Sequence, residues 1–435
     1  MTPSARTQAA IDLVAALFRS DAPPADQMMA DWFRTRRFVG SKDRRAIAEL
    51  VYAVLRHRSG LAWRLLELGV EENPRTLILA ALVLIEGRRA EKVSERFDGS
   101  PYGATRLRNT EENLVAALVQ AGWPPFDGPP AVRIGLPEWL VDAMPQGMEE
   151  RAIRALSLEE APVDLRVNTL KTDRAGVIAA LAAEGIEAVP TMLSPVGLRL
   201  PERKPLSGTK AFRDGLFEVQ DEGSQLAALL VDARPGQKLI DFCAGAGGKS
   251  LALAAAMQNK GRIMALDISE GRLDRAADRL RRAGAHIVQR KTLTSQRDPW
   301  VKRHKASWDR VLVDAPCTGT GTFRRNPDRK WKLKPEEVGE LQALQKDILD
   351  SAARLVAPGG RLVYVTCSVL PAEDEDVVEP FLAEHGDFEA VPIADLWPEL
   401  IGGAAPEGTG RPFLRLDPLA AGTDGFFVAV MQKRR

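Results

Sequence analysis

Three cysteines are the residues of this 435-residue chain with the clearest potential for nucleophilic chemistry. Cys243 lies in LIDFCAGAGGKS, Cys317 in VLVDAPCTGTG and Cys367 in LVYVTCSVL, each at the end of a strand-like apolar run. A lone cysteine on a strand is usually a small buried residue. Two cysteines at strand ends, one of them three residues after Asp314, favour a reactive centre instead, in which a thiolate is stabilised by nearby cations or N–H groups.

Cys367, Cys317 and Asp314 could together methylate carbon 5 of a pyrimidine ring. That carbon is too weak a nucleophile to attack a sulfonium methyl group, but a thiolate that adds to carbon 6 makes carbon 5 enamine-like. A carboxyl group at the base edge can assist at N3, and a further group must assist removal of the thiolate. Lys249 and the arginines near Arg324 are candidates for the cation that favours the thiolate.

The glycine-rich segment DFCAGAGGKS (241–250) predicts a ligand-binding turn between a strand and a helix. A P-loop needs a glycine where Cys243 stands, and a dinucleotide-binding turn needs one where Ser250 stands. S-adenosylmethionine needs an open turn for its amino-acid part and a carboxylate on the next strand for its ribose hydroxyls, and Asp267 ends that strand. A turn selected only for packing remains the alternative.

From about residue 216, strand-like and helix-like segments alternate, which is typical of a parallel sheet with helices on both faces. Ligands bind such sheets beyond the carboxyl ends of the strands, where all three cysteines are predicted to lie. The predicted strands are Lys238–Phe242, Arg262–Asp267, Ala285–Val288, Arg310–Asp314 and Arg361–Thr366. The predicted helices are Gly248–Met257, Glu270–Ala283, Pro335–Val356 and Glu373–Glu384.

The first part of the chain has a different character. Apolar residues recur at helical spacing from about residue 4 to 90, and a proline-rich stretch from about 120 to 145, which includes Pro124 and Pro125, predicts a connector. A strand at Val163–Asn168 and a helix at Arg174–Glu184 then predict a small α+β module. These patterns divide the chain into three domains, at residues 1–135, 136–215 and 216–435.

Composition narrows the class of protein. A hydrophobic content of 45% supports sizeable cores, and a net charge of +1 gives no global field that would attract a polyanion. Acidic residues such as those at 373–376 balance the basic clusters, each of which alone is typical of a solvated face. The basic clusters lie at 34–45, 56–58 and 324–334.

Three cysteines without a Cys-x-x-Cys pair, and four histidines, argue against a zinc site or any other metal site and against a disulfide scaffold. No signal-like or membrane-spanning run is present. We therefore expect a protein of the cytoplasm that does not associate with membranes.

Several ordered motifs resemble the Sun/RsmB/Nop family of RNA cytosine-5 methyltransferases, and the resemblance covers about 163–435. The motifs are LRVNTLK (165–171), FEVQDEGSQL (217–226), DFCAGAGGKS (241–250), DAPCTGTGTFRRNPDRKW (314–331), VYVTCSV (363–369) and DGFFVA (424–429). The N-terminal segment KDRRAIAELVYAVLRHR (42–58) is similar to the NusB-like RNA-binding domain of the bacterial RsmB branch.

The resemblance implies a Rossmann-like class I methyltransferase domain in an α/β chain, preceded by a small RNA-binding module and an all-α NusB-like domain. It implies S-adenosylmethionine as cofactor and RNA as partner, with small-subunit ribosomal RNA favoured by the NusB-like domain. We infer no obligate protein partner and expect a monomer. By the family's pattern Cys367 is the nucleophile, Cys317 assists product release, and Asp314 faces both cofactor and base. Asp267 holds the ribose, and the cofactor turn comprises Cys243, Ala244, Gly245, Ala246, Gly247, Gly248 and Lys249.

Two departures from the family pattern are notable. The usual turn Cys-Ala-Ala-Pro-Gly-Gly-Lys here has Gly245 for alanine and Ala246 for proline, so we expect a less rigid turn that still binds the cofactor. The stretch IVQRKTL (287–293) lacks the aspartate that often lies near the adenine. Other functions stay open: a transfer-RNA cytosine-5 methyltransferase, a P-loop-like nucleotide hydrolase, or an RNA-binding factor without catalytic activity.

Overall fold

The computed structural model describes residues 1–123, 128–406 and 412–435. The described chain forms two compact units, one of Met1–Glu160 with Phe323–Leu333 and one of Ala161–Thr322 with Lys334–Arg435. The division into three domains stays a prediction, because this grouping is coarser. Pro124 and Pro125, which belong to the predicted connector, lie outside the described residues.

The described part of the first unit consists of helices around one apolar core that includes Leu13, Val51 and Leu79. The first helix begins with Pro3, and the Thr2 hydroxyl accepts a hydrogen bond from the Ala5 N–H, as expected of an N-cap. The helices are Pro3–Leu17, Ala25–Thr35, Ser41–Glu67, Pro74–Ala80 with a π-helical turn at Ala81–Ile85, Ala90–Ser94, Asn109–Ala121, Pro130–Ile134, Glu138–Asp142, Glu150–Leu158 and Arg329–Lys332.

The described part of the predicted proline-rich connector contains two short helices, Pro130–Ile134 and Glu138–Asp142. That this stretch connects two domains stays a prediction. Proline breaks a helix only in its interior. At the first helical position its fixed φ is compatible with the helix and its missing N–H is not needed. Pro130 occupies that place in its helix.

Part of the basic motif at 324–334 is buried inside the first unit. The Lys330 ammonium is fully buried and donates to the carbonyl of Arg56 at 2.8 Å and to the carbonyl and hydroxyl of Ser157 at 3.0 Å. Burial lowers the pKa of Lys330 well below its ordinary value. Arg56 is also buried and donates to the Arg324 carbonyl at 3.2 Å. These two side chains stabilise the fold, so the solvated face that is typical of a basic cluster is wrong for Lys330 in 324–334 and for Arg56 in 56–58.

The second unit contains a small antiparallel sheet in the order β2-β3-β1-β4. Its core includes Leu165, Leu198 and Phe217. The predicted strand at Val163–Asn168 is confirmed to within one residue. The strands are β1 Val163–Val167, β2 Val189–Pro190, β3 Gly197–Leu200 and β4 Phe217–Val219, and the accompanying helices are Arg174–Ala182 and Lys210–Arg213.

The larger sheet has the order β10-β12-β9-β8-β5-β6-β7, with β11 paired to β12. Strands β5 to β9 are parallel, as predicted, and β12, which was not predicted, runs antiparallel to β9 and β10. The strands are β5 Lys238–Asp241, β6 Arg262–Asp267, β7 Val288–Thr292, β8 Trp308–Asp314, β9 Val356–Thr366, β10 Phe388–Ala390, β11 Leu414–Leu416 and β12 Phe426–Lys433.

Helices cover both faces of this sheet, as predicted. Adjacent residues of one strand point to opposite faces, so Leu239 joins one apolar cluster and Ile240 the other. The helices are Glu222–Leu229, Gly248–Ala256, Glu270–Ala283, Pro299–Arg303, Pro335–Ala353, Glu375–Glu384, Ile393–Leu400 and Pro418–Ala421, with 3-10 turns at Thr320–Thr322 and Pro371–Glu373. In the described parts of the chain, no helix is long and apolar enough to cross a membrane.

Strand β7 lies later in the sequence than the apolar pattern predicted, at Val288–Thr292 instead of Ala285–Val288. It pairs with β6 at the edge of the sheet, and Gln289 and Arg290 on it are exposed. An edge strand tolerates polar residues that a central strand does not. The predicted stretch therefore overlaps the strand only at Val288, and of its four residues only Ala285 is buried.

Candidate active site

The predicted site residues meet at the carboxyl ends of β5, β6, β8 and β9, around a cavity of about 530 Å³. The topology accounts for this, since parallel strands end at the same edge of a sheet. Gly247 begins the helix after β5 as its N-cap, with φ +77°. The predicted residues that line the cavity are Cys243, Ala244, Gly245, Ala246, Gly248, Lys249, Asp267, Asp314, Cys317 and Cys367.

Cys317 and Cys367 are brought into direct contact, with 3.4 Å between their Sγ atoms. Cys317 follows β8 and Cys367 follows the adjacent β9. The hydrogen bond with Cys367, and burial, raise the pKa of Cys317 well above its ordinary value. Cys317 is therefore a neutral thiol at pH 7, able to donate its S–H to a thiolate on Cys367.

Two adjacent carboxyl groups fix the residues beside the two cysteines. Glu373 accepts from the N–H of Thr318 at 2.8 Å, and Asp374 accepts from the hydroxyl of Thr366 at 2.6 Å. Arg415 bonds Asp374 at 3.1 Å, yet burial raises the pKa of Asp374 well above its usual range. In the sequence these carboxylates suggested only a charged surface that balances basic residues. They are buried, and no sequence pattern indicated their contacts.

A close approach of two glycines also holds the cysteine loops. The Gly425 N–H donates to the Gly321 carbonyl at 2.8 Å, and the Gly321 N–H donates to the Cys367 carbonyl at 3.0 Å. A Cβ at position 321 would lie 2.2 Å from the Gly425 carbonyl oxygen, which sterics forbid. The glycines of DAPCTGTG and DGFFVA are therefore required where the two loops meet.

Lys249 and Asp314 form an ion pair, with 2.7 Å between Nζ and Oδ1. The lysine side chain is 8% exposed and the aspartate 35%. The Lys249 ammonium also lies 5.7 Å above the ring of Phe426. Lys249 was a candidate for the cation that favours the thiolate. In the structure its ammonium group pairs with the Asp314 carboxylate instead.

Asp267 is held in an orientation that suits a diol ligand. Its two oxygens accept from the N–H groups of Gly245 and Ser269, each at 2.8 Å. A carboxylate has about four lone-pair sites, so two remain for ribose hydroxyls. Gly245 reaches this contact with φ +54°, a conformation that favours glycine. The free acceptor sites of Asp267, beside the glycine-rich turn, therefore fit the ribose hydroxyls of S-adenosylmethionine.

Apolar and amide side chains take the place of the aspartate missing after the third strand. Ile268, although 69% exposed, lines the cavity beside Asp267, and Leu293 and Gln296 line it after β7. The adenine ring of a bound cofactor would pack well against aliphatic side chains, and an amide side chain can form hydrogen bonds with the polar edge of that ring. Gln296 was missed because nothing in a loop sequence marks one glutamine among several.

Cys243 and Asp241 lie where β5 meets the turn. Cys243 lines the cavity, and burial raises its pKa well above the ordinary value, so it is an unreactive thiol at neutral pH. Asp241 is buried and accepts from the hydroxyl of Ser250 at 2.6 Å. Burial raises the pKa of Asp241 to about 7.

Comparisons with known proteins agree with this geometry. A family model described as 16S rRNA methyltransferase RsmB/F matches residues 228–432, and a model of the ferredoxin-like domain of RsmF/B-like methyltransferases matches 136–207. The chain is 32% identical to the probable ribosomal RNA small subunit methyltransferase B of Bacillus subtilis, over 91% of this chain and 92% of the relative. It is 30% identical to ribosomal RNA small subunit methyltransferase B of Escherichia coli O127:H6, over 95% and 93%.

Solved structures show the same fold. A methyltransferase homologue protein from Pyrococcus horikoshii is 27% identical, with a TM-score of 0.60 over 72% of this chain and 100% of that one. NSun6 from Pyrococcus horikoshii shares the fold at 20% identity, with a TM-score of 0.56 over 68% of this chain and 100% of that one.

Proposed function

The chain belongs to the RsmB/F family of 16S rRNA methyltransferases, and we propose that it methylates carbon 5 of a cytosine in small-subunit ribosomal RNA, with S-adenosylmethionine as the methyl donor. One observation carries the proposal above the others. Two cysteines lie 3.4 Å apart in the same cavity as the Asp267 carboxylate that suits a ribose. The proposed nucleophile and the proposed cofactor-binding carboxylate therefore line the same cavity.

In the proposed mechanism the Cys367 thiolate adds to carbon 6 of the cytosine and forms a C–S bond. S-adenosylmethionine, when bound, supplies a sulfonium methyl group to carbon 5. As electron density builds up at N3, Asp314 relays a proton from the Lys249 ammonium to that nitrogen, and the proton returns to Lys249 when the ring is restored. Water then accepts the carbon 5 proton, the electron pair of that C–H bond forms the carbon 5–carbon 6 double bond, and the C–S bond breaks as Cys317 donates its S–H to the departing Cys367 sulfur. The proton afterwards returns from Cys367 to Cys317, which regenerates the thiolate.

The target base must leave its stack or lie in a loop to reach the cysteines. Binding to phosphates through exposed basic residues would weaken as salt rises. The RNA species, the cytoplasmic location and the monomeric state stay predictions of the sequence.

The test is methylation of defined RNAs by the purified full chain. We expect transfer of tritiated methyl groups to small-subunit ribosomal RNA, with bisulfite sequencing placing the product at one cytosine. Transfer RNA provides the comparison substrate. Methylation of transfer RNA alone, or at an atom that leaves cytosine sensitive to bisulfite, would overturn the proposal, as would ATP hydrolysis without methyl transfer.

A further inference from the structure

Two arginines outside the cofactor turn hold the carbonyl groups of that turn. Arg279, on the helix Glu270–Ala283, donates from Nη1 to the carbonyl of Ala246 at 2.8 Å. Arg166, on β1 of the small sheet, donates from Nη1 to the carbonyl of Gly248 at 2.7 Å. The turn is thus fixed on the side of its carbonyls as well as through the Gly245 N–H.

Each arginine is itself held by a second side chain. The Arg279 Nε and Nη2 atoms lie 3.2 and 3.1 Å from one oxygen of Glu218, whose side chain is 5% exposed. Arg166 is buried and also donates to the amide oxygen of Gln220. Burial lowers the pKa of Arg166 to about 10, so it keeps its charge at neutral pH. Bonds from a charged, fixed donor are about twice as strong as neutral ones.

The sequence of the turn explains why it needs such support. Ala246 stands where the family has proline, and a proline ring would fix φ at this point. The neighbouring Gly245 and Gly247 have φ of +54° and +77°, so the segment loses much conformational freedom when it is ordered. A proline at 246 would also disfavour the left-handed conformation of Gly245 before it.

We propose that Arg279 and Arg166 are positioning residues that hold the cofactor turn in its binding conformation. The proposal rests on the proposed function, because it takes S-adenosylmethionine as the ligand of the turn. It predicts that the arginines act on the affinity for this cofactor and leave the chemistry at Cys367 unchanged.

The chain offers a matched control. Arg282 also bonds Glu218, through the other oxygen of that carboxylate, and stacks on the ring of Phe212 at 3.9 Å. Among the residues that the structure describes, its guanidinium donates to no carbonyl of the turn. Arg279→Met and Arg282→Met therefore each remove one charged partner of Glu218, but only Arg279→Met releases the turn.

The experiment uses the full chain and two readouts. In the absence of cofactor, hydrogen–deuterium exchange of residues 243–250 should be faster in Arg279→Met and unchanged in Arg282→Met. In calorimetric titration with S-adenosylmethionine, Kd should rise about tenfold in Arg279→Met, the size expected for loss of one charged hydrogen bond. In turnover, KM for the cofactor should rise while kcat stays the same.

Equal exchange in the two variants would overturn the proposal, and so would a fall in kcat with KM unchanged. If Arg279→Met does not fold, Arg279→Lys keeps one donor, and it should show intermediate exchange; exchange like that of the wild type would also contradict the proposal. Titration of the wild-type chain separates the two claims. Absence of cofactor binding there would refute the proposed function, whereas the exchange experiment would still test the role of the arginines.

Discussion

The Sγ atoms of Cys317 and Cys367 lie 3.4 Å apart, although the two residues are separated by 50 positions in the sequence. Adjacent parallel strands bring them together, and Glu373 and Asp374 fix the residues beside them. Because Cys317 is a neutral thiol, the pair is suited to pass one proton between two sulfur atoms. This contact supports a division of roles in which one cysteine attacks and the other assists release.

The short distance predicts sensitivity to peroxide. Hydrogen peroxide would oxidise the Cys367 thiolate to a sulfenic acid, and Cys317 would then displace water to form a disulfide. We expect methyl transfer to be lost after peroxide treatment and restored by dithiothreitol, with Cys317–Cys367 linkage visible by peptide mass spectrometry. In Cys317→Ala no such intramolecular linkage can form. Loss of activity in the wild type that dithiothreitol does not reverse would contradict this prediction.

The ion pair of Lys249 and Asp314 predicts unequal costs for its two members. Asp314→Ala leaves a nearly buried ammonium without a partner and should lower the free energy of unfolding by about 2 kcal/mol. Lys249→Met should cost less, because water reaches the more exposed carboxylate. The double variant should cost less than the sum of the two. Urea denaturation measures all three.

An exposed ion pair serves as the control for that cycle. Arg281 and Asp278 lie 2.9 Å apart, and their side chains are 78% and 81% exposed. Such pairs contribute at most about 1 kcal/mol to the free energy of unfolding. Asp278→Ala should therefore change stability little. Strict additivity of Asp314→Ala and Lys249→Met would show that the two charges do not interact.

Asp241 predicts a specific dependence of stability on pH. Its pKa is raised by burial from 3.8 to about 7, so the folded chain keeps a proton that the unfolded chain has already lost. Its contribution to stability therefore falls as pH rises from about 4 to 7 and stays low above that range. Asp241→Asn removes the titrating group, so the variant does not lose stability in this way as pH rises. The Tm of the variant minus the Tm of the wild type should therefore increase from pH 5 to pH 8. A constant difference would contradict the assigned pKa.

The sequence allowed prediction of those features that depend on local pattern. Asp267, Asp314 and Cys367 could be placed at strand ends because apolar runs mark central strands and parallel strands end at one edge. The contacts of Glu373 and Arg279 could not be predicted, since they join residues far apart in the chain.

Burial was also hidden for charged residues. Lys330 belongs to a strongly basic motif, and only the backbone carbonyls around it show that it is a buried anchor. Edge strand β7 was also misplaced. Its exposed residues are polar, so no apolar run marks its position in the sequence.

Trapping the covalent adduct between protein and RNA tests most directly whether Cys367 is the nucleophile. Cys317→Ala is expected to attack its target but fail in release, so a denaturing gel should show a slow band that contains both protein and RNA. Cys317→Ala combined with Cys367→Ala should show no band, and Cys243→Ala should neither trap RNA nor prevent methylation. An adduct that persists without Cys367, or one that requires Cys243, would contradict the assignment of Cys367 as the nucleophile.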